Sequence, residues 1–313
     1  MSDVLIENVT KRFGDTVAVD DVSLAVGKGE LFGFIGPDGA GKTTLFRILA
    51  TLLVPQSGRA EVLGHDAVKD LWALRPKLGY MPGRFSLYPD LTVEENVRFF
   101  AAVFGTSLER EYDQISAIYV QLEPFKDRRA GALSGGMKQK LALCCALVHR
   151  PEILFLDEPT TGVDAVSRRE FWELLARFKE SGLTILVSTP YMDEATRCDR
   201  IALMQRGRIL AVDTPDAITR SFDRPLLALR ADDRYRALLA LREYPHTFSI
   251  FPFGEVLHYT DQRSGLSPGL IGAEVTRYLA ARGLVLTSAL PIPATIEDSF
   301  MAYMGSAEEA PAA

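Results

Sequence analysis

Short apolar runs alternate with helical patterns along about the first 215 residues. LFGFIG (31–36) is continuously apolar and ends in glycine, and KTTLFRILATLL after it repeats its apolar residues at helical spacing. ILFLDE (153–158) stands in the same way before REFWELLARFKE, and LTILVST (183–189) before DEATRCD, each read as a strand followed by a helix. Strands apolar on both faces and separated by helices imply a parallel sheet covered on both sides. VLIENV, TVAVDDVSLAV and GRAEVLG read instead as an antiparallel β layer. Thr92 with Glu95 is a capping box opening a helix through VRFFAAVFG, and a second helix is expected over 109–121. Residues 92–130 thus form a helical insertion between the two halves of the α/β core.

Beyond Pro215 the pattern changes. Short strands (PLLALRA, TFSIFPFGEVLHYT, LVLTSALP) mix with helices (RYRALLALRE, IGAEVTRYLAARG). The expected organisation is an α/β domain over 1–220, a small α+β domain over 221–305 and a disordered tail over 306–313. The length of 313 residues agrees with two domains.

Charge and composition narrow the function. With 35 basic against 41 acidic residues the formal charge is -6, which argues against coating nucleic acid. No stretch reaches the ~18–20 apolar residues of a transmembrane helix, and the first residues, MSDVLIENVTKRFGD, do not read as a secretory signal. A membrane would be reached only through a partner. The three cysteines fit no metal framework and cannot all pair, so reduced thiols in a cytosolic protein are expected.

The chemistry begins at GPDGAGKTT, residues Gly36, Pro37, Asp38, Gly39, Ala40, Gly41, Lys42, Thr43 and Thr44. It satisfies G-x-x-x-x-G-K-[ST] and sits between a strand and a helix, the context that gives the pattern meaning. Glycines let successive N–H groups line an anion-sized hollow, and the helix N-terminus adds partial positive charge. Lys42 can reach β- and γ-phosphates and Thr43 can ligate Mg²⁺. Asp38 would repel phosphate and is expected to face solvent. ILFLDEP places Asp157 and Glu158 at a strand end. They read either as a Mg²⁺ ligand and a general base or as the acids of a solvated turn.

LSGGMKQKLALCCALVHRP (133–151) then carries a resemblance. Ser134, Gly135 and Gly136 open a helix whose free N–H groups form an anion site. Met137, Leu141, Cys144 and Val148 recur at helical spacing and point to a buried stripe. Leu133–Met137 resembles the LSGGQ signature of the ABC ATPases, the nucleotide-binding subunits of ABC transporters, with Met for Gln. The resemblance covers about residues 3–215 and implies a P-loop cassette with a parallel core sheet, an antiparallel β layer and a helical insertion. It implies ATP and Mg²⁺ as cofactors, and head-to-tail pairing with a second ABC ATPase subunit so that each signature completes the partner's ATP site. It also implies a membrane permease as partner, with the chain peripheral on the inner face of the cell membrane. Phe13 matches the aromatic that stacks on adenine, though a core aromatic near a turn is the alternative. Asp164, in TTGVD, matches a loop that reaches across the dimer. The C-terminal part resembles the extension of the drug-export branch.

Two family residues are missing. Gly83 stands where a Gln after GYMP senses γ-phosphate and metal, and Pro190 stands where a His follows the strand LTILVST. Proline offers neither a side-chain donor nor an N–H. These departures imply ATP binding with poor turnover at the chain's own site, and a signature still able to complete a competent site on a different partner. GRFSLYP (83–89), with Phe85, Leu87 and Tyr88, is the expected permease contact, or else packs under the helical insertion. Alternative readings are a non-hydrolysing ATP-gated dimerisation module and a soluble ABC ATPase of DNA repair or the ribosome. Against the repair and ribosomal readings, the span between phosphate loop and signature is too short for a long coiled coil, and the chain holds a single cassette.

Overall fold

The computed structural model describes residues 2–309. The chain divides into two compact units, Met1–Pro215 and Asp216–Ala313. That boundary falls five residues before the one expected at 220/221.

In the first unit β1 (Ser2–Phe13) and β2 (Thr16–Gly27) form a hairpin, and β3 (Leu31–Ile35) leads through the glycine loop into α1 (Lys42–Leu49). After them come β4 (Ser57–Val62), β5 (His65–Asp66), the single turn α2 (Leu71–Leu74) and β6 (Leu78–Met81). Three helices follow: α3 (Val93–Val103), α4 (Leu108–Leu122) and α5 (Gly135–Leu147). The chain then alternates again through β7 (Ile153–Asp157), α6 (Ala165–Glu180), β8 (Thr184–Thr189), β9 (Arg200–Gln205) and β10 (Arg208–Asp213).

The core sheet has the order β10-β9-β3-β8-β7-β6, parallel except for β10 at the edge. Every residue of β3, β7 and β8 is buried, as their unbroken apolar runs require. The second sheet, β2-β1-β4-β5, is the antiparallel layer. Phe46 of α1 meets Phe34 and Phe155 edge-on, at centroid distances of 5.4 and 6.0 Å, and this fixes the helix over β3 and β7. The edge pair β9–β10 had no counterpart among the expected strands. DEATRCD, expected as a helix, is a 3-10 turn over Met192–Arg197.

The capping box forms as expected: Thr92 Oγ1 accepts from Glu95 N at 3.1 Å, and Glu95 Oε2 accepts from Thr92 N at 2.8 Å. The helical layer is larger than 92–130, because α5 packs against both α3 and α4.

The second unit begins with α7 (Pro215–Arg220) at the boundary. It continues with β11 (Leu226–Ala231), α8 (Arg234–Arg242), β12 (Thr247–Phe253), β13 (Val256–Asp261), α9 (Pro268–Ala280), β14 (Leu286–Ile292) and α10 (Ile296–Glu309). From β11 to β14 this is a βαββαβ unit with sheet order β12-β13-β11-β14, antiparallel throughout, the split-βαβ arrangement of ferredoxin-like folds. Leu227, Leu229, Leu257 and Tyr259 pack with Leu241, Ile271, Val275 and Leu279 of the two helices. The tail expected over 306–313 is helical through Glu309, and residues 310–313 lie outside the described residues. No helix among the described residues is long and apolar enough to cross a membrane. The three cysteines are buried and unpaired, and burial pushes the thiol pKa values up.

One side chain fixes the loop after β6. Asn96, fully buried on α3, accepts from Tyr88 N (3.1 Å) and donates to the carbonyls of Tyr88 (3.1 Å), Leu91 (3.3 Å) and Thr92 (2.9 Å). Asn96→Ala leaves those backbone groups without a partner and lowers the unfolding free energy by about 2–4 kcal/mol, read from denaturant melts. A loss under ~0.5 kcal/mol would mean that the loop is held by other contacts.

Candidate functional site

The glycine loop is shaped from both sides. Gly36 N donates to Thr189 O at 3.3 Å, Ala40 N to Pro37 O at 3.2 Å, and Gly207 N to Ala40 O at 3.0 Å. A Cβ on Gly36 would stand 2.2 Å from Met204 O, and one on Gly41, at φ +103°, 2.2 Å from Ala18 O. The core sheet presses on one glycine and the antiparallel layer on the other. Gly39, at φ +79°, has open space around it. Helix α1 starts at Lys42 with no side-chain cap, so its first N–H groups are left for an external acceptor. Asp38 is exposed, as expected, and Thr44 is half-buried on the first turn.

The acidic strand end meets this loop. Thr43 donates to Asp157 Oδ1 at 3.0 Å, and Ser188 Oγ donates to the same oxygen at 2.6 Å. Lys42, 3% exposed, donates to the carbonyls of Gly36 (2.7 Å) and Pro37 (3.0 Å), and its Nζ lies 3.3 Å from Glu158 Oε1. Glu158 N donates to Ser188 O and Oγ, both at 3.0 Å, while its backbone holds φ +49°. A non-glycine residue held at positive φ is a strained conformation of the kind that clusters at functional sites. The solvated-turn alternative for Asp157 does not hold, since Asp157 is 2% exposed.

The two departures flank this pair. A Cβ on Gly83 would lie 3.0 Å from Asp157 O and 3.6 Å from Glu158 Cβ, so the position faces the acids at close range. Pro190 follows Thr189, whose carbonyl receives the first N–H of the glycine loop. Beyond it Glu194, 3% exposed, accepts from Thr160 Oγ1 at 2.8 Å and Thr189 Oγ1 at 2.5 Å, joining the end of β8 to the loop after the acids. Sequence reasoning missed Ser188 and Glu194. Two hydroxyls, Ser188 and Thr189, closing the apolar run ILV were the available signal.

The signature lies elsewhere in the unit. Ser134 caps α5, its hydroxyl accepting from Met137 N at 3.3 Å. A Cβ on Gly135 would stand 3.2 Å from Gly162 O, and one on Gly136 2.5 Å from Ser167 Oγ, so α5 starts against the beginning of α6. Ser134 and Gly135 are exposed. Leu141, Cys144 and Val148 are buried, as their spacing required, and Met137 is half-buried. Asp164 caps α6 by accepting from Ser167 N (3.0 Å) and Val166 N (3.1 Å), and the Ser167 N–H, foremost, holds its carboxyl below the usual range.

Phe13 is 51% exposed at the end of β1 beside Lys11, which sets aside the core-aromatic alternative. Phe85 and Tyr88 are 37% and 48% exposed while Leu87 is buried. Beside them a cavity of about 350 Å³ opens, its lining including Leu52, Arg75, Tyr80, Leu87, Phe104 and His149. His149 is stacked on Phe104 at 3.7 Å, and burial pushes its pKa down.

The glycines separate packing from flexibility. Gly36→Ala and Gly41→Ala drive a methyl into backbone oxygen and should each destabilise the chain by ~3 kcal/mol or more. Gly39→Ala meets nothing and should cost only the left-handed backbone penalty of ~1–2 kcal/mol. Equal losses at the three positions in denaturant melts would contradict this geometry.

Residues 19–161 match the ABC transporter family. A probable multidrug ABC transporter ATP-binding protein, YbhF of Escherichia coli (strain K12), is 48% identical over 212 residues, 67% of this chain and 37% of that protein. The chain therefore spans well under half of that relative's length. Nod factor export ATP-binding protein I of Burkholderia lata is 40% identical over 217 residues, 68% of this chain and 71% of that protein. Among solved structures, the ATP-binding cassette MJ0796, described as a dimeric post-hydrolysis state bound to ADP and Pi, is 27% identical with a TM-score of 0.61, covering 67% of this chain and 98% of that one. By these likenesses, and by the two-sheet cassette that carries its glycine loop, acid pair and signature helix, the chain belongs to the ATP-binding proteins of the ABC transporter family.

Proposed function

We propose that this chain is the ATP-binding, energy-coupling subunit of an ABC exporter, with a weakened ATP site of its own and a signature that serves a partner cassette. The observation that carries the reading is the meeting of the phosphate loop with the acidic strand, Thr43 on Asp157 and Lys42 beside Glu158. A hydroxyl and a carboxylate sharing one hydrogen bond form an oxygen donor set suited to Mg²⁺. The hollow kept open by Gly36 and Gly41 beside the uncapped start of α1 suits phosphate.

In this reading Gly36–Thr44 cradle the phosphates and Phe13, exposed at the end of β1, stacks on adenine. Thr43 and Asp157 hold the metal, which partly neutralises phosphate charge when bound. Lys42 exchanges the carbonyls of Gly36 and Pro37 for phosphate oxygens. Glu158, released from Lys42, polarises the attacking water. Loss of one donor to developing charge typically costs ~10²–10³ in rate, and Gly83 and Pro190 supply no side-chain donor. Own-site hydrolysis is therefore slow. Exposed Ser134 and Gly135, with Gly136 behind them, complete a site on a second ABC subunit, and Asp164 lies at that same face. The relatives' names, multidrug and Nod factor export, support an exporter.

The permease contact is the 83–89 loop, whose exposed Phe85 and Tyr88 stand beside the cavity, on a chain without a membrane-spanning helix among its described residues. The chain would sit on the inner face of the membrane through that partner, with no nucleic-acid role. Gly83 and Pro190 favour one second reading, an ATP-gated pairing module without turnover.

Millimolar MgATP should raise the melting temperature of the wild-type chain by mass action, and Lys42→Ala should abolish the shift. A wild-type chain that shows no shift would refute nucleotide binding at this loop.

A further inference from the structure

The second unit carries clefts of its own. Two adjoining clefts, of about 250 and 420 Å³, share Phe248 and Ala302 as walls. Phe248 is the bulged residue of β12. Thr247 stands opposite Asp261 and Ser249 opposite Thr260, which leaves Phe248 without a partner across the hairpin. A bulge re-aims a side chain out of the regular alternation, and the ring is 38% exposed.

Arg224 lies over that ring, its guanidinium carbon 4.0 Å from the centroid. Nη1 donates to the carbonyls of Gln262 (3.0 Å) and Asp261 (3.5 Å), which orients the guanidinium. Both bonds use one nitrogen, so donors remain on Nε and Nη2. Among the described residues the one carboxylate lining either cleft, Asp223, stands 4.0 Å from Nε with its side chain 88% exposed. Arg242 lines the second cleft at the last turn of α8, and the hydroxyls of Ser221 and Tyr303, 2.9 Å apart, edge the first.

We propose that Phe248 and Arg224 form a binding site for a small amphiphilic anion, a flat aromatic body bearing one carboxylate. The ring supplies an apolar platform, and the guanidinium, positioned by two carbonyls, supplies the paired donors that a carboxylate matches. The clefts are lined by polar as well as apolar groups, so they suit a ligand that brings both an apolar face and a charge. Every residue lining the two clefts belongs to the second unit.

The test is calorimetric titration of the full chain with naphthoate and with the same ring carrying a neutral hydroxymethyl group. Naphthoate should bind at least about tenfold more tightly than the neutral compound. Arg224→Gln should remove that preference, and Phe248→Ala should weaken both compounds. Three results would each overturn the proposal: no naphthoate binding up to ~10 mM, equal affinity for the two compounds on the wild-type chain, or wild-type affinity retained in both variants. The comparison of the two compounds on the wild-type chain needs no variant to fold.

Discussion

The glycine loop is clamped between two sheets, and the rest of the first unit depends on that clamp. Met204 O of the core sheet sits where a side chain on Gly36 would be, and Ala18 O of the antiparallel layer where one on Gly41 would be. A loop with side chains at these positions could not lie between β3 and α1 in this shape. The two oxygens belong to different sheets, so each sheet imposes its own demand for glycine on the loop. Phe46, edge-on to Phe34 and Phe155, holds α1 in register with the acidic strand, so that Thr43 reaches Asp157. The aromatic packing and the polar junction thus act on one helix.

The same junction holds together with Gly83 and Pro190 in place. Asp157 is oriented by Thr43 and Ser188, neither of which lies at the departed positions. Thr189 turns its hydroxyl to Glu194, so the end of β8 is tied down without a histidine. Gly83 is closely fitted: with Asp157 O 3.0 Å from its Cβ position, any larger residue must displace backbone by a few tenths of an ångström. Restoring a glutamine there would add a donor and strain together.

Much of this was legible in the sequence, for physical reasons. Strands buried on both faces announce themselves as unbroken apolar runs, and β3, β7 and β8 stand where those runs stand. The Thr92–Glu95 box marked the start of α3 because capping is local. What escaped was assembled over distance. The cavity beside Phe85 draws Leu52, Tyr80, Phe104 and His149 from four separate elements or loops, and no periodicity links them. Helix α10 was missed although Ile296 and Phe300, four residues apart and both buried, share one of its faces. Its start is fixed by Thr295 and Asp298, with Asp298 also bonded to His258 on β13 at 2.6 Å. The role of Gly136 was legible only as a helix opening, whereas the structure gives it a packing reason in Ser167.

The central claim is a division of labour: a weak ATP site on this chain's own loop and a working signature for a partner's. The most direct measurement is steady-state ATP turnover of the purified chain, alone and mixed with an ABC cassette that retains the glutamine and histidine. The account predicts slow turnover alone, a rise of about tenfold or more over the two separate rates on mixing, and loss of that rise with Ser134→Arg, while Glu158→Gln changes it little. A chain that alone turns over at an ordinary ~1–100 per second would contradict it.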